Sequence, residues 1–289
     1  MKKIFVYGMA ILSVLTFFSF SGAAFAQETE TGGKNYVLIF QNLEYDKRIG
    51  DAVDYFLKEV LKPADYLLLL TPMKPYSFSQ KTRETTPLEK LSEITKDVLK
   101  RDISMEATTY TDIIQQMEIV VRSFSDPNIA QPKSLITQYR QLKENLFSIR
   151  KLNEKLFLDL AAKFKQAKGE THIIIFYEKR IRVIPNRQTM DRLRGNAEVR
   201  FDVNEVLESE SGAEVMNVET VSQALKDAAI RLDFVYLNTR MKQSREMEVK
   251  EFSGDIYNVF SKIAKETGGT VMIASRTDAA LKEIIGEKK

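Results

Sequence analysis

Continuous apolar runs of strand length, separated by amphipathic helical segments, constrain this chain more than any other feature. The runs lie at Tyr36–Gln41, Asp65–Leu70, Thr171–Tyr177, Arg231–Leu237 and Thr270–Ala274. A strand that is apolar at nearly every position is buried on both faces, as in a parallel sheet covered by helices. Helical periodicity fills the segments between the runs, for example over Arg48–Leu61 and Ile256–Thr267. The sequence therefore predicts an α/β fold with three layers and a doubly wound, mostly parallel sheet.

The stretch from about residue 81 to residue 165 interrupts this alternation, because it is helical and charged throughout. We predict helices over Glu89–Arg101 and Thr111–Phe124, and one long helix from Ser134 to about Ala167. Apolar residues of the long helix recur mostly at alternating spacings of four and three, which gives a coiled-coil-like stripe. They are Leu135, Tyr139, Leu142, Leu146, Ile149, Leu156 and Leu160. We interpret the stripe as core of the same chain, with an oligomer or partner surface as the alternative.

The first 26 residues have the pattern of a bacterial secretory signal peptide. Lys2 and Lys3 precede an apolar stretch from Ile4 to about Phe20, and Ala24-Phe25-Ala26 places small residues where signal peptidase cleaves. We expect cleavage between Ala26 and Gln27, a flexible linker over 27–34 and an α/β domain over 35–289. This predicts a periplasmic or secreted protein, and an uncleaved N-terminal membrane anchor is the alternative. The mature chain contains no other apolar segment of membrane-spanning length.

The scarcest residue types exclude much of enzyme chemistry. The chain has no Cys and one His, so disulfides, zinc thiolate sites and cysteine nucleophiles are absent. Its 43 Lys and Arg oppose 40 Asp and Glu, and removing Lys2 and Lys3 leaves 41 − 40 = +1, which argues against nucleic-acid binding. No phosphate-binding glycine motif or G-x-S-x-G motif follows a strand. We interpret His172, at the start of a strand, as a structural residue bonded to nearby backbone, and we predict no catalytic residue and no cofactor.

Three segments resemble von Willebrand factor type A domains, in the branch that bacteria secrete. They are VLIFQNLEYDKRIGDAVDYFLKEVLKPADYLLLL, AKFKQAKGETHIIIFYEKR and YNVFSKIAKETGGTVMIASRTDAALKEI, in that order. The resemblance covers most of the chain except about residues 81–155. It implies a Rossmann-like, doubly wound sheet with a helical insertion, and a protein-binding role.

The resemblance also implies a metal-ion-dependent adhesion site, built from D-x-S-x-S after the first strand, a Thr in a second loop and an Asp after the fourth strand. Here Gln41, Leu43 and Tyr45 occupy the first motif, and Glu178 lies near the last position. Leucine cannot ligate a metal, and Gln41 offers only a neutral carbonyl oxygen. We therefore predict a degenerate site without Mg²⁺ or Ca²⁺. Thr109 or Thr111 would supply the second-loop hydroxyl.

The predicted function is that of an exported, non-enzymatic adhesion or scaffold module that binds a protein of the cell envelope. Its binding face would lie at the carboxyl ends of the strands. The candidate residues there are Gln41, Asn42, Glu44, Asp46, Thr71, Thr109, Thr111 and Glu178. One alternative is a periplasmic small-ligand receptor or enzyme that uses Glu44, Asp46, Thr71 and Glu178 at the point where the strand order reverses. The other is an oligomeric structural protein that assembles through the inserted helices.

Overall fold

The computed structural model describes residues 33–126, 129, 131–150, 152–209, 216–238 and 247–286. The predicted signal peptide, its cleavage position at Ala26 and Gln27, and all but the last two residues of the linker lie outside the described residues. Within the described ranges, no helix is both long enough and apolar enough to cross a membrane.

A six-stranded sheet forms the centre of the molecule. The described strands are β1 (Asn35–Gln41), β2 (Tyr66–Leu70), β3 (Pro75–Phe78), β4 (Thr171–Glu178), β5 (Ile181–Pro185), β6 (Ile230–Leu237), β7 (Met247–Glu251) and β8 (Val271–Ala274). The large sheet has the order β3-β2-β1-β4-β6-β8, and only β3 runs antiparallel to its neighbour. Numbered along the chain, its strands follow the 3-2-1-4-5-6 order of doubly wound folds. The predicted fold class is confirmed.

Helices cover both faces of this sheet. They are α1 (Lys47–Tyr55), α2 (Gln80–Thr85), α3 (Leu88–Phe124), α4 (Pro132–Arg150), α5 (Glu154–Phe164), α6 (Arg187–Gly195), α7 (Arg200–Asp202), α8 (Val218–Asp227), α9 (Gly254–Glu266) and α10 (Thr277–Gly286). Short π-helical turns extend α1 to Val60 and α7 to Glu208. Alternate side chains of β1 point to opposite faces: Val37 and Ile39 pack with α5, α8 and α9, whereas Leu38 and Phe40 pack with α1, α10 and the first half of α3.

A second lobe stands beside the sheet and has its own apolar core. It combines the second half of α3 with α4, the antiparallel pair β5–β7, α6 and α7 with its π turn. Val120, Phe124, Tyr139 and Leu146 are all at most 1% exposed in this core. The predicted helical insertion supplies only part of the lobe, because residues 181–208 and 247–252 contribute as well. Strands β5 and β7 were not predicted, because their charged residues interrupt a short apolar pattern.

The prediction of two helices before residue 125 was wrong, since α3 is one helix of 37 residues. The segment between the two predicted helices is itself helical, and the hydroxyls of Thr108 and Thr109 donate to the carbonyls of Ser104 and Met105. Such bonds to the carbonyl four residues earlier let Ser and Thr remain within a helix. The buried Ile103 anchors the sheet-facing half of α3 in the main core.

The prediction of one helix from Ser134 to Ala167 was also wrong. The chain breaks between α4 and α5, where the Asn153 side chain accepts a hydrogen bond of 2.8 Å from the Lys155 backbone N–H and caps α5. Asparagine at this position satisfies a backbone donor that an N-terminal turn leaves unpaired. The apolar stripe is therefore divided: Tyr139 and Leu146 lie in the core of the second lobe, and Leu160 lies in the main core. Both parts pack within the chain.

The turn at Gly268-Gly269 follows α9 and packs closely against β6, which a substitution can test. Gly268 has a φ of +72°, and a Cβ added to Gly269 would lie 1.8 Å from the backbone oxygen of Leu232 in β6. We expect Gly269→Ala to lower the free energy of unfolding by ~3 kcal/mol, because backbone cannot yield as a flexible side chain can. Urea denaturation measures the loss. Gly195→Ala is the matched control, since no atom lies within 4 Å of its added Cβ; a similar loss in both variants would contradict the steric argument.

Candidate functional site

The carboxyl edge of the sheet is where the strand order reverses. The chain leaves β1 towards β2 on one side, and it leaves β4 towards β6 on the other. Open α/β sheets bind ligands in the crevice that this reversal creates. Here the crevice is bordered by the loop of residues 42–46 after β1 and by Glu178 at the end of β4.

Glu178 fastens that loop to the sheet. Its Oε2 accepts hydrogen bonds from the backbone N–H groups of Leu43, at 2.6 Å, and Glu44, at 3.3 Å. The side chain is buried. Burial raises the pKa of Glu178, although the two amides and the charge of Arg180 favour its ionised form. Glu178 thus fixes the loop after β1 to the end of β4, at the edge of the sheet where the family resemblance implies a metal.

The remaining candidates of the β1 loop divide into structural and surface residues. Asp46 caps α1, because its Oδ1 accepts from the backbone N–H groups of Arg48 and Ile49 at 2.9 and 3.1 Å. Glu44 is exposed. Asn42 is buried, and its Oδ1 has no hydrogen-bond partner in the described part of the chain. Gln41, at the end of β1, faces a cleft beside β2.

Thr71 belongs to a buried network that shapes the turn between β2 and β3. Its hydroxyl oxygen lies 2.7 Å from Asp102 Oδ2 and accepts from the Lys74 backbone N–H at 3.1 Å. The Tyr76 hydroxyl donates to the same carboxylate oxygen at 2.7 Å. Burial acts to raise the pKa of Asp102, but Thr71, Tyr76 and Arg101 lower it below the usual value. The turn is therefore held rigidly by a carboxylate of α3.

Thr109 and Thr111 are not part of this edge loop, which corrects the prediction that one of them supplies a second-loop hydroxyl. Both are exposed positions inside α3, and Thr109 bonds to the Met105 carbonyl at 3.3 Å. The prediction failed because it required a loop between two helices where the structure has one continuous helix.

A cleft of 290 Å³ lies at the ends of β1 and β2. Its polar lining brings together two predicted site residues, Gln41 and Thr71, and four that were not predicted. The four are Lys74, Asn153, Lys155 and Asp159. Its apolar lining consists of Ile39, Leu70, Leu152 and Leu156, together with Pro72, Met73 and Pro75 of the β2–β3 turn. The proline-flanked turn and the capping Asn153 are sequence signals that could have located this cleft.

The residues at this edge do not fit the metal that the resemblance implies. Mg²⁺ requires near-octahedral oxygen ligands, and at this edge the Glu178 carboxylate already accepts two backbone hydrogen bonds. In the part of the chain that the structure describes, no group of three or more His, Cys, Asp or Glu could hold a metal ion. We therefore assign no metal-dependent step, and a metal-free protein stays a prediction.

His172 lies at the opposite edge, as predicted, but its partner is a side chain rather than backbone. Its Nε2 contacts the Oδ2 of Asp233, a fully buried residue of β6. Asp233 Oδ1 also accepts from Arg231 Nη2 at 2.9 Å and from the Thr270 backbone N–H at 2.6 Å. Burial acts to raise the pKa of Asp233, but these partners, His172 first among them, lower it. These contacts connect the beginnings of β4 and β6 with Thr270, the residue before β8. Among the described residues, no nucleophile is bonded to His172.

Comparisons with known proteins add little to this geometry. No protein-family model matches the sequence, and no curated protein matches it. One similar structure is that of an aerotolerance-related membrane protein from Bacteroides fragilis NCTC 9343, solved with multiple mutations to serines. It is 9% identical to this chain with a TM-score of 0.35, and the match covers 88% of this chain and 99% of that one. The N-terminal domain of TFIIH p34 is 11% identical, with a TM-score of 0.32 and coverages of 88% and 97%. The human COPII-coat protein Sec24c is 8% identical, with a TM-score of 0.35 and coverages of 84% and 29%. Likenesses this weak establish neither family nor function.

Substitutions at Glu178 test the closed loop. We expect Glu178→Ala to lower the free energy of unfolding by about 1–3 kcal/mol, since the backbone N–H groups of Leu43 and Glu44 lose a buried acceptor. Glu178→Gln keeps an acceptor oxygen and should cost little at pH 7. A carboxyl group whose pKa is raised by folding contributes stability below its unfolded pKa and loses it as the pH rises through the folded pKa. Glu178→Gln should therefore lose less stability than the natural protein between acidic and neutral pH in urea titrations. Equal pH slopes would contradict this account.

Proposed function

We propose that the chain is an exported, non-enzymatic module of the von Willebrand factor type A kind, which binds a protein of the cell envelope through the cleft between β1, β2 and α5. The observation that carries the proposal is the combination, in one cleft, of an apolar wall with a polar rim that includes Gln41 and Thr71. Protein pockets that combine these features bury an apolar group and orient it through a few polar contacts. The strand order and the order of the resembling segments support the fold assignment.

The walls of the cleft are held in place before any partner binds. The network around Asp102 fixes the β2–β3 turn, and the Asn153 cap fixes the first turn of α5. Binding to a preformed surface costs less conformational entropy than binding to a flexible one. The cleft therefore suits one apolar side chain of an extended partner segment.

The charge of the rim favours an acidic partner segment. Lys155 Nζ lies 2.6 Å from Asp159 Oδ2, so these two charges balance. The Lys74 ammonium is 5.2 Å from the centre of the Tyr76 ring, and no carboxylate of the described chain pairs with it. Rim charges of this kind contribute mainly to association rate and specificity. We expect the partner to carry an Asp or Glu next to its apolar anchor.

The alternative enzymatic role draws on groups that are engaged in structural hydrogen bonds. Asp46 caps α1, Thr71 bonds to Asp102, and Glu178 bonds to the β1 loop. No described nucleophile–base pair lines the 290 Å³ cleft. The binding role is accordingly the one that we propose.

Replacing either of two methionines with arginine tests whether the partner binds in the cleft. Met73→Arg places a long cation in the cleft, whereas Met105→Arg changes an exposed position of α3 that is 51% accessible. The mature chain, with a photo-crosslinking lysine analogue that keeps the ammonium group at Lys74, is incubated with envelope extract. We expect one crosslinked protein that Met73→Arg reduces at least tenfold and Met105→Arg does not. Loss through Met105→Arg alone would place binding on the helices and overturn the proposal.

Divalent metal removal tests the metal-free part of the proposal. Any ligand that binds only the folded state raises the melting temperature. We expect the melting temperature in EDTA to equal that in millimolar Mg²⁺ or Ca²⁺, measured by scanning calorimetry. A metal-dependent rise of several degrees would contradict a degenerate adhesion site, and Glu178→Gln would then show whether Glu178 is a ligand.

A further inference from the structure

Lys143 lies at the base of a surface cavity in the second lobe, away from the proposed binding cleft. The cavity has a volume of 190 Å³ and is bordered by residues of α4 and of the π turn after α7. Besides Lys143 they are Arg140, Glu144, Phe147, Glu205 and Val206. Lys143 itself is only 7% exposed, which is unusual for a lysine.

The hydrogen bonds of Lys143 match a neutral amine better than an ammonium ion. Its Nζ donates to the backbone carbonyls of Ser209, at 2.7 Å, and Val206, at 3.2 Å. A neutral amine has two N–H donors and one lone pair, whereas an ammonium ion has three donors. No carboxylate in the described ranges lies within ion-pair distance of this nitrogen. The two acceptors therefore satisfy the amine and leave its lone pair free to react.

The charges around Lys143 also disfavour protonation. Arg182 of β5 is fully buried and lies near Lys143 and Tyr139, which share one face of α4. Among the residues that the structure describes, its Nε and Nη1 have no hydrogen-bond partner. Glu205 is the opposing charge, while Arg140 and Glu144 lie on the rim, and α3 presents apolar side chains to α4. Burial and Arg182 lower the pKa of Lys143 to about 8, against the raising effect of Glu205.

We infer that Lys143 is a reactive amine whose cavity admits a small aliphatic or aromatic aldehyde and forms an imine with it. The amine lone pair attacks the carbonyl carbon, a C–N bond forms, and the carbonyl electron pair moves to oxygen. One proton passes from nitrogen to oxygen, and loss of water leaves the C=N bond. No oxidant or reductant is required. Phe147 and Val206 provide the apolar wall for the hydrocarbon part of the aldehyde.

Reductive alkylation of the full chain tests this inference. Butyraldehyde is added at pH 7 with cyanoborohydride, whose hydride converts the imine into a stable secondary amine, and peptides are quantified by mass spectrometry. An amine of pKa 8 is about one tenth unprotonated at pH 7, compared with less than one thousandth for an ordinary lysine. Lys133 is the internal control, because it is exposed on the same helix. We expect Lys143 to react at least tenfold faster than Lys133; an equal or slower rate overturns the inference.

Arg182→Met tests whether the neighbouring positive charge, and not accessibility alone, makes Lys143 reactive. Replacing a buried, poorly paired cation with an apolar side chain of similar length is often tolerated. Without the neighbouring charge, the pH at which Lys143 reacts at half its maximal rate should rise, while the profile of Lys133 stays unchanged. An unchanged Lys143 profile in the folded variant contradicts the role of Arg182. If the variant does not fold, the measurement on the natural chain still decides the inference, and neither result depends on the proposed binding function.

Discussion

Replacing Asp233 with Ala is expected to lower the free energy of unfolding by about 3–5 kcal/mol at pH 7, the largest effect that we predict. The carboxylate is fully buried and accepts bonds from His172, Arg231 and the Thr270 backbone N–H. Alanine leaves these donors without their acceptor at a fully buried position. Urea denaturation followed by far-ultraviolet circular dichroism measures the change.

The pH dependence of stability separates the charge of Asp233 from its shape. Its pKa is lowered in the folded state, so its contribution is complete above the unfolded pKa and is lost as the pH falls through the folded pKa. Asp233→Asn keeps the shape and one acceptor, and it should be less stable at pH 7 but lose less stability on acidification. Asp227→Ala, at an exposed position of α8, should change stability by no more than about 0.5 kcal/mol. An Asp233 variant that behaves like this control would refute the assignment.

Replacing Asp102 with Ala is expected to cost about 3 kcal/mol, because the hydroxyl groups of Thr71 and Tyr76 lose their common partner. The same substitution should release the β2–β3 turn and weaken binding in the cleft. Both effects are measurable, the first by urea denaturation and the second by crosslinking from Lys74. Hydrogen exchange at the Lys74 amide, which donates to Thr71, should also become faster.

The control for Asp102 lies on the same helix. Asp97 is exposed on α3, and Asp97→Ala should leave stability, crosslinking and exchange unchanged. Asp102→Asn keeps one acceptor and should fall between the two. If Asp102→Ala destabilised the protein without accelerating exchange at Lys74, the network would stabilise α3 but would not control the turn.

The large sheet was predictable from the sequence because its strands are buried on both faces. The leucine run of β2 and the isoleucine run of β4 have the length and composition that are typical of such strands. The pair β5–β7 was not predictable, since Arg182 and Lys250 alternate with apolar residues and one of these cations is nevertheless buried. Helix ends were the least reliable feature, as the positions of Thr109 and Asn153 show.

The candidate site was predictable in position but not in composition. The carboxyl edge follows from the doubly wound order, but the cleft lined by Gln41 and Thr71 lies between β1 and β2 and not between β1 and β4, where the strand order reverses. The contribution of Lys155 required the break before α5, which a regular apolar stripe concealed. Contacts such as that of Glu178 with the Leu43 amide join residues 135 positions apart, and a single sequence carries no record of them.

The second lobe is assembled from three separate passages of the chain: through α3 and α4, after β4, and after β6. The lobe therefore cannot be removed by a single deletion, and it cannot be transferred to another protein as one contiguous segment. Its two-stranded sheet closes only after Met247–Glu251 has been synthesised, because β5 has no other strand partner in that sheet. The lobe therefore cannot be completed until a segment that follows β6 has joined the helices α3 and α4, which precede β4.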